Sequence, residues 1–175
     1  MMHKLHLYYG NGKGKTTSAM GLALRCAGHG KKVLVAQFLK GGDSGELSAL
    51  RQLACVEVYP SARVEGFLFQ MTEEERKEVR ASQTQMALTL ADHLLQTRPS
   101  LIILDEFAVA WDKHVIASEA ARRLLESALR VGETVVTGYS APQWLYEHAD
   151  YVSHIIAERH PYDREGLQAR EGIEW

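Results

Sequence analysis

The chain has 175 residues, 46% of them hydrophobic, and a formal net charge of −2, which suits one compact domain over 1–175 and leaves little room for a second. That balance gives no basic footprint for nucleic acid, and no apolar stretch approaches a membrane span, so neither is an expected partner. Cys26 and Cys55 have no metal-type spacing and read as buried thiols of a reducing compartment; without a signal-peptide pattern at the N-terminus, the expected location is the cytoplasm.

The first apolar segment, 5–9, runs into Gly10-Asn11-Gly12-Lys13-Gly14-Lys15-Thr16-Thr17. A helix begins near Lys15, carries Ala19, Met20, Ala23, Leu24 and Ala27 at three-and-four spacing, and meets stop signals at Gly28 and Gly30. Strand-like runs follow at 33–38 and 56–59. Thr72-Glu73-Glu74-Glu75 reads as a capping box opening a helix to about Gln96, short of Pro99, with the charge run 73–78 as its solvated first turns. Leu101-Ile102-Ile103-Leu104 closes on Asp105-Glu106, a helix fits 118–131 with Ala121, Leu124, Leu125, Ala128 and Leu129 as its buried stripe, and further strands fit 134–137 and 151–156. Strands alternating with helices predict an α/β fold, a P-loop NTPase-like (RecA-like) three-layer sandwich around a mostly parallel sheet. Ligands are expected at the carboxyl ends of the strands.

The 10–17 segment has the marks of a phosphate-binding loop. Its glycines can take positive φ, so backbone N–H groups can turn into one concavity, and the helix N-terminus, Lys13 and Lys15 add positive charge. Thr16 offers a hydroxyl for a phosphate-bound Mg²⁺. The usual pattern places four residues between the glycines and this loop has three, Asn11 to Lys13. An acidic strand end should complete a triphosphate site, and Asp105 and Glu106 supply it, one facing the Thr16-bound metal and the other the substrate or a supporting partner.

Beyond these elements the chain resembles the ATP:corrinoid adenosyltransferases of the CobA/CobO/BtuR type almost end to end. The similarity is carried by the shortened loop, Gly28-His29-Gly30-Lys31, Val35-Ala36-Gln37-Phe38-Leu39-Lys40-Gly41, Leu104-Asp105-Glu106, Thr137-Gly138 with Ala141-Pro142, Ala149-Asp150, and the tail from His160-Pro161-Tyr162 to Gly172-Ile173-Glu174-Trp175. The resemblance implies transfer of the 5′-deoxyadenosyl group of ATP to the cobalt(I) of a corrinoid, with inorganic triphosphate as leaving group, Mg²⁺ on the phosphates, a reductase as electron donor and a homodimer. It implies that residues 10–17 and Arg25 hold the nucleotide, that Lys15 and Thr16 stabilise the leaving group, and that Glu106 serves the metal or ribose side. It also implies that Phe67 and Phe69 wall the lower face of the corrin. Tyr139-Ser140 and Ala108-Val109 depart from the family's usual residues at those places. Two other functions fit the loop alone: a small P-loop kinase, which would release ADP, and a corrinoid or nucleotide carrier.

Overall fold

A computed structural model describes residues 3–40, 44–62, 64 and 70–174. The chain runs β1 (Leu5–Tyr9), α1 (Lys15–Gly28), β2 (Val33–Gln37), α2 (Gly45–Leu50), β3 (Val56–Val58), α3 (Glu73–Thr97), β4 (Leu101–Asp105), α4 (Phe107–Asp112), α5 (Ser118–Val131), β5 (Glu133–Gly138), α6 (Gln143–His148), β6 (Tyr151–His154) and α7 (Pro161–Glu165). The strands form one sheet of order β3-β2-β4-β5-β1-β6, and every pairing in it is parallel. The expected mostly parallel sheet is therefore wholly parallel among the described residues, in an α/β arrangement. β5 lies between the strand that feeds the loop and the strand that ends in Asp105.

Strand periodicity explains the three layers. Leu34, Ala36, Ile102, Leu104 and Val136 face one side, where α3, α4 and α5 cover them through Leu90, Leu94, Phe107, Leu124 and Ala128. Their neighbours Val33, Val35, Leu101, Ile103 and Val135 face the other, under Ala19, Met20 and Ala23 of α1 and Leu47 and Leu50 of α2. Each fully buried Leu or Ile in these layers contributes roughly 1.5–3 kcal/mol of transfer free energy. This burial holds the carboxyl ends of β1, β2, β4 and β5 at fixed spacing.

The helix signals read from sequence hold. Thr72 and Glu75 form a reciprocal capping box at the start of α3, and Arg98 ends that helix in a left-handed conformation just before Pro99. Strands β2 and β6 stop short of the expected 38 and 156, although Phe38 and Ile155 still donate backbone hydrogen bonds to Asp105 and Tyr9. The short helices α2, α4, α6 and α7 carry no sequence expectation, because five or six residues are too few for a periodic stripe to show. Among the described residues, no helix is long and apolar enough to cross a membrane.

Candidate active site

β1 delivers the chain to Gly10, whose φ of 120° lies in a region L side chains rarely adopt. A Cβ there would collide with the carbonyl oxygen of Ile155, and one at Gly12 would lie 2.7 Å from the carbonyl carbon of Ile156. The loop is thus pressed against the segment that leaves β6. Gly10 N–H donates to the Gly138 carbonyl at 3.3 Å and Gly12 N–H to that of Ile155 at 2.8 Å, while the Asn11 side chain accepts from Ala157 N–H at 3.2 Å. Two loop N–H groups are therefore spent on neighbouring strands. The open donors come from the loop's second half, where Gly14, at φ 111°, caps α1 and the first-turn N–H groups of Lys15, Thr16 and Thr17 have no intrahelical acceptor.

Lys15 curls back over the loop, its Nζ donating to the Gly12 carbonyl at 2.7 Å, so its charge sits over the turn. Lys13 points elsewhere: its Nζ lies 2.9 Å from Glu174 Oε1 in the C-terminal tail. Hydrogen bonds from Arg170 and Lys13 hold the Glu174 carboxyl down to about 2.

Asp105 is the centre of the site and is wholly buried. Its Oδ1 accepts from Thr16 Oγ1 at 2.9 Å and Thr137 Oγ1 at 2.6 Å; its Oδ2 accepts from Gln37 Nε2 at 2.9 Å and meets Lys40 Nζ at 3.4 Å. Four side chains converge on one carboxylate, as buried polar oxygens require. Glu106 N–H in turn donates to Thr137 Oγ1 at 2.9 Å. Gln37, Lys40 and Thr137 carry no role in the sequence reading, although all three fall inside the family-like motifs. Parallel register reveals Gln37: it pairs directly with Asp105 across β2 and β4.

Glu106 sits at φ 58° and Leu39, just past the end of the adjacent β2, at φ 59°. A non-glycine residue there costs roughly 1–2 kcal/mol, and two such residues at neighbouring strand ends mark a place where local strain is held by the surrounding structure. Burial raises the Glu106 carboxyl above its ordinary value and the Asp105 charge adds to this; Lys40 and Lys15 oppose it. The two acids differ in their surroundings. One is a saturated internal carboxylate and the other a strained carboxyl near Lys15 and Lys40, free to meet a ligand.

The structure brings Gly10, Asn11, Gly12, Gly14, Lys15, Thr16, Thr17, Asp105 and Glu106 to one end of the sheet. Arg25 does not join them: it is exposed on α1, ten residues past Lys15 and roughly 15 Å along the axis, near Tyr8. Phe67 and Phe69 lie outside the described residues. Thr16 and Glu106 offer hard oxygens, which suit Mg²⁺, a cation that takes one or two protein ligands, keeps waters and shares phosphate oxygens; Asp105, expected as a further metal ligand, has both oxygens already engaged by protein donors.

Comparison with known proteins shows the family. The family described as ATP:corrinoid adenosyltransferase BtuR/CobO/CobP matches residues 2–175. A corrinoid adenosyltransferase of Pseudomonas aeruginosa is 32% identical over 173 residues, spanning 98% of this chain and 83% of the relative. That of Escherichia coli K12 is 34% identical over 174 residues, 97% of this chain and 84% of the relative, and the corrinoid adenosyltransferase CobA of Salmonella typhimurium is 33% identical over 176 residues, with the same two shares. With a match across nearly all its length and a loop, acid pair and tail in the family's order, the chain belongs to the ATP:corrinoid adenosyltransferase family.

Proposed function

We propose that the protein transfers the 5′-deoxyadenosyl group of ATP to cobalt(I) of a corrinoid and releases inorganic triphosphate, in the making or salvage of the adenosylated cofactor. The observation that carries this is the joining of the shortened loop to Asp105 through Thr16 in a chain of this family. The cobalt lone pair forms the new bond to C5′, the C5′–O bond breaks, and its electron pair leaves on the triphosphate. Cobalt(I) is itself the nucleophile, so the protein needs no base; its work is to place C5′ against the metal and stabilise the charge that departs.

Lys15 and the first-turn N–H groups of α1 are suited to that charge. Thr16 and Glu106 would hold Mg²⁺, with Asp105 acting through Thr16 because its own oxygens are already engaged. Mg²⁺ there would neutralise phosphate charge. Glu106, where ionisation is disfavoured, also suits a ribose hydroxyl. Arg25 as a nucleotide ligand and Phe67 and Phe69 as the corrin wall rest on the family resemblance alone, as does an electron-donating reductase. A homodimer is supported by β6, whose four residues are all exposed, Tyr151 and Val152 among them. A reducing cytoplasm suits both cobalt(I) and the free thiols Cys26 and Cys55.

Incubation with ATP, Mg²⁺ and chemically reduced corrinoid tests the reading by phosphorus NMR. Triphosphate alongside a light-sensitive corrinoid product is expected, and Lys15→Ala should lower kcat by about 10²–10³. ADP as product, or a Lys15→Ala variant with near-normal kcat, would sink it.

A further inference from the structure

A cleft of about 570 Å³ opens where the first turns of α3 face the chain beyond α4 and the end of β5. Arg76, Lys77 and Arg80 line one wall, Lys113, His114 and Tyr139 the other, and Glu73 is the only carboxylate among its described lining residues. The capping box fixes the first turn of α3, so Arg76 and Arg80, one turn apart, project from the same side.

Most of the cations already have partners. Lys77 lies 3.6 Å from Glu73, Lys113 lies 2.9 Å from Asp112, and Arg76 Nε donates to the Met71 carbonyl at 3.3 Å, while no described carboxylate pairs with its guanidinium. Arg80 makes no hydrogen bond or ion pair with any other described residue. Like charges at this helical spacing repel, so the pair does not serve α3 itself. A merely solvated helix face would not explain the opposite wall, where Lys113 brings a further cation from another element and lies 5.7 Å over the Tyr139 ring.

The cleft adjoins the active site. Tyr139 follows Gly138, whose carbonyl accepts from the first N–H of the loop. In sequence, α3 follows closely on 66–69, which the family resemblance assigns to the corrin wall.

The geometry points to this cleft as the specificity pocket for a peripheral anion of the corrinoid, with Arg76 and Arg80 as its recognising groups; this rests on the adenosyltransferase reading. Guanidinium groups match carboxylate and phosphate oxygens in paired, planar fashion. A corrinoid can offer either anion: free side-chain carboxylates on an incompletely amidated ring, or the phosphodiester of a nucleotide loop.

Three substrates separate the sources: cobyrinic acid a,c-diamide, with carboxylates and no phosphodiester; cobalamin, with a phosphodiester and amidated side chains; and cobinamide, with neither. The Arg76→Ala/Arg80→Ala variant, altered only at exposed positions, should reduce the ratio of kcat/KM for one of the anionic substrates to that for cobinamide by roughly tenfold. The loss should fall on KM, weaken the binding of the cobalt(III) form measured by absorbance without ATP, and be partly restored in Arg76→Lys/Arg80→Lys. Which substrate suffers identifies the anion. Unchanged ratios for both anionic substrates overturn the cleft while leaving the enzyme reading intact; a wild-type protein that adenosylates none of the three overturns the enzyme reading and the cleft with it.

Discussion

Asp105 and Glu106 adjoin in sequence yet occupy opposite electrostatic situations. Asp105 accepts hydrogen bonds from Thr16 on α1, Gln37 on β2 and Thr137 on β5, whereas burial and the Asp105 charge push the Glu106 carboxyl up. Because folded Glu106 holds its proton more tightly than unfolded Glu106, stability falls as pH rises from the ordinary value of 4.5 through the raised one, and the penalty persists above that window. Glu106→Gln should therefore raise the urea midpoint at pH 7, lose that advantage near pH 4, and impair adenosyl transfer. An equal difference at both pH values would contradict the assignment. The acid pair itself was legible in sequence because a buried aliphatic run ended on it; its four donors were not, since they come from residues 32 to 89 positions away and only strand order brings them together.

At the scale of elements, the loop is shaped from both sides. β1 and α1 set its ends, and the segment after β6 packs so closely that Gly10 and Gly12 tolerate no side chain. The tail adds a further contact, because Glu174 bridges Lys13 and Arg170. With its carboxyl held down to about 2, Glu174 contributes the full stability of this bridge above the ordinary value of 4.5 and loses it as pH falls from there through about 2. Glu174→Gln should loosen the tail at neutral pH, seen as faster trypsin cleavage after Arg170 with the sheet core still resistant; unchanged cleavage would show that the bridge does not hold the tail. From sequence, Lys13 was grouped with Lys15 as a phosphate ligand. Proximity along the chain concealed that the two amines diverge, one over the turn and one toward the tail.

For the whole molecule, alternating strands and helices were enough to predict the layered α/β sheet, and its central strands β2 and β4 are buried at every residue, as their aliphatic runs predict. The placement of β5 between β1 and β4 was not legible, because parallel strands are joined by crossovers that leave no local mark of which strand they bypass. That placement makes Thr137 the bridge between Asp105 and Glu106, and it puts Tyr139 beside the loop at the mouth of the cationic cleft. One sheet end thus presents the glycine-rich loop, the acid pair and the cationic cleft. The most direct test of the chemistry assigned to them follows both ends of one ATP molecule, labelled with carbon-14 in the adenosine and phosphorus-32 in the γ-phosphate, through a single turnover with cobalt(I) corrinoid. Carbon-14 on the corrinoid matched one-to-one by phosphorus-32 in triphosphate is the predicted result; phosphorus-32 on the corrinoid, or carbon-14 recovered as ADP, would contradict it.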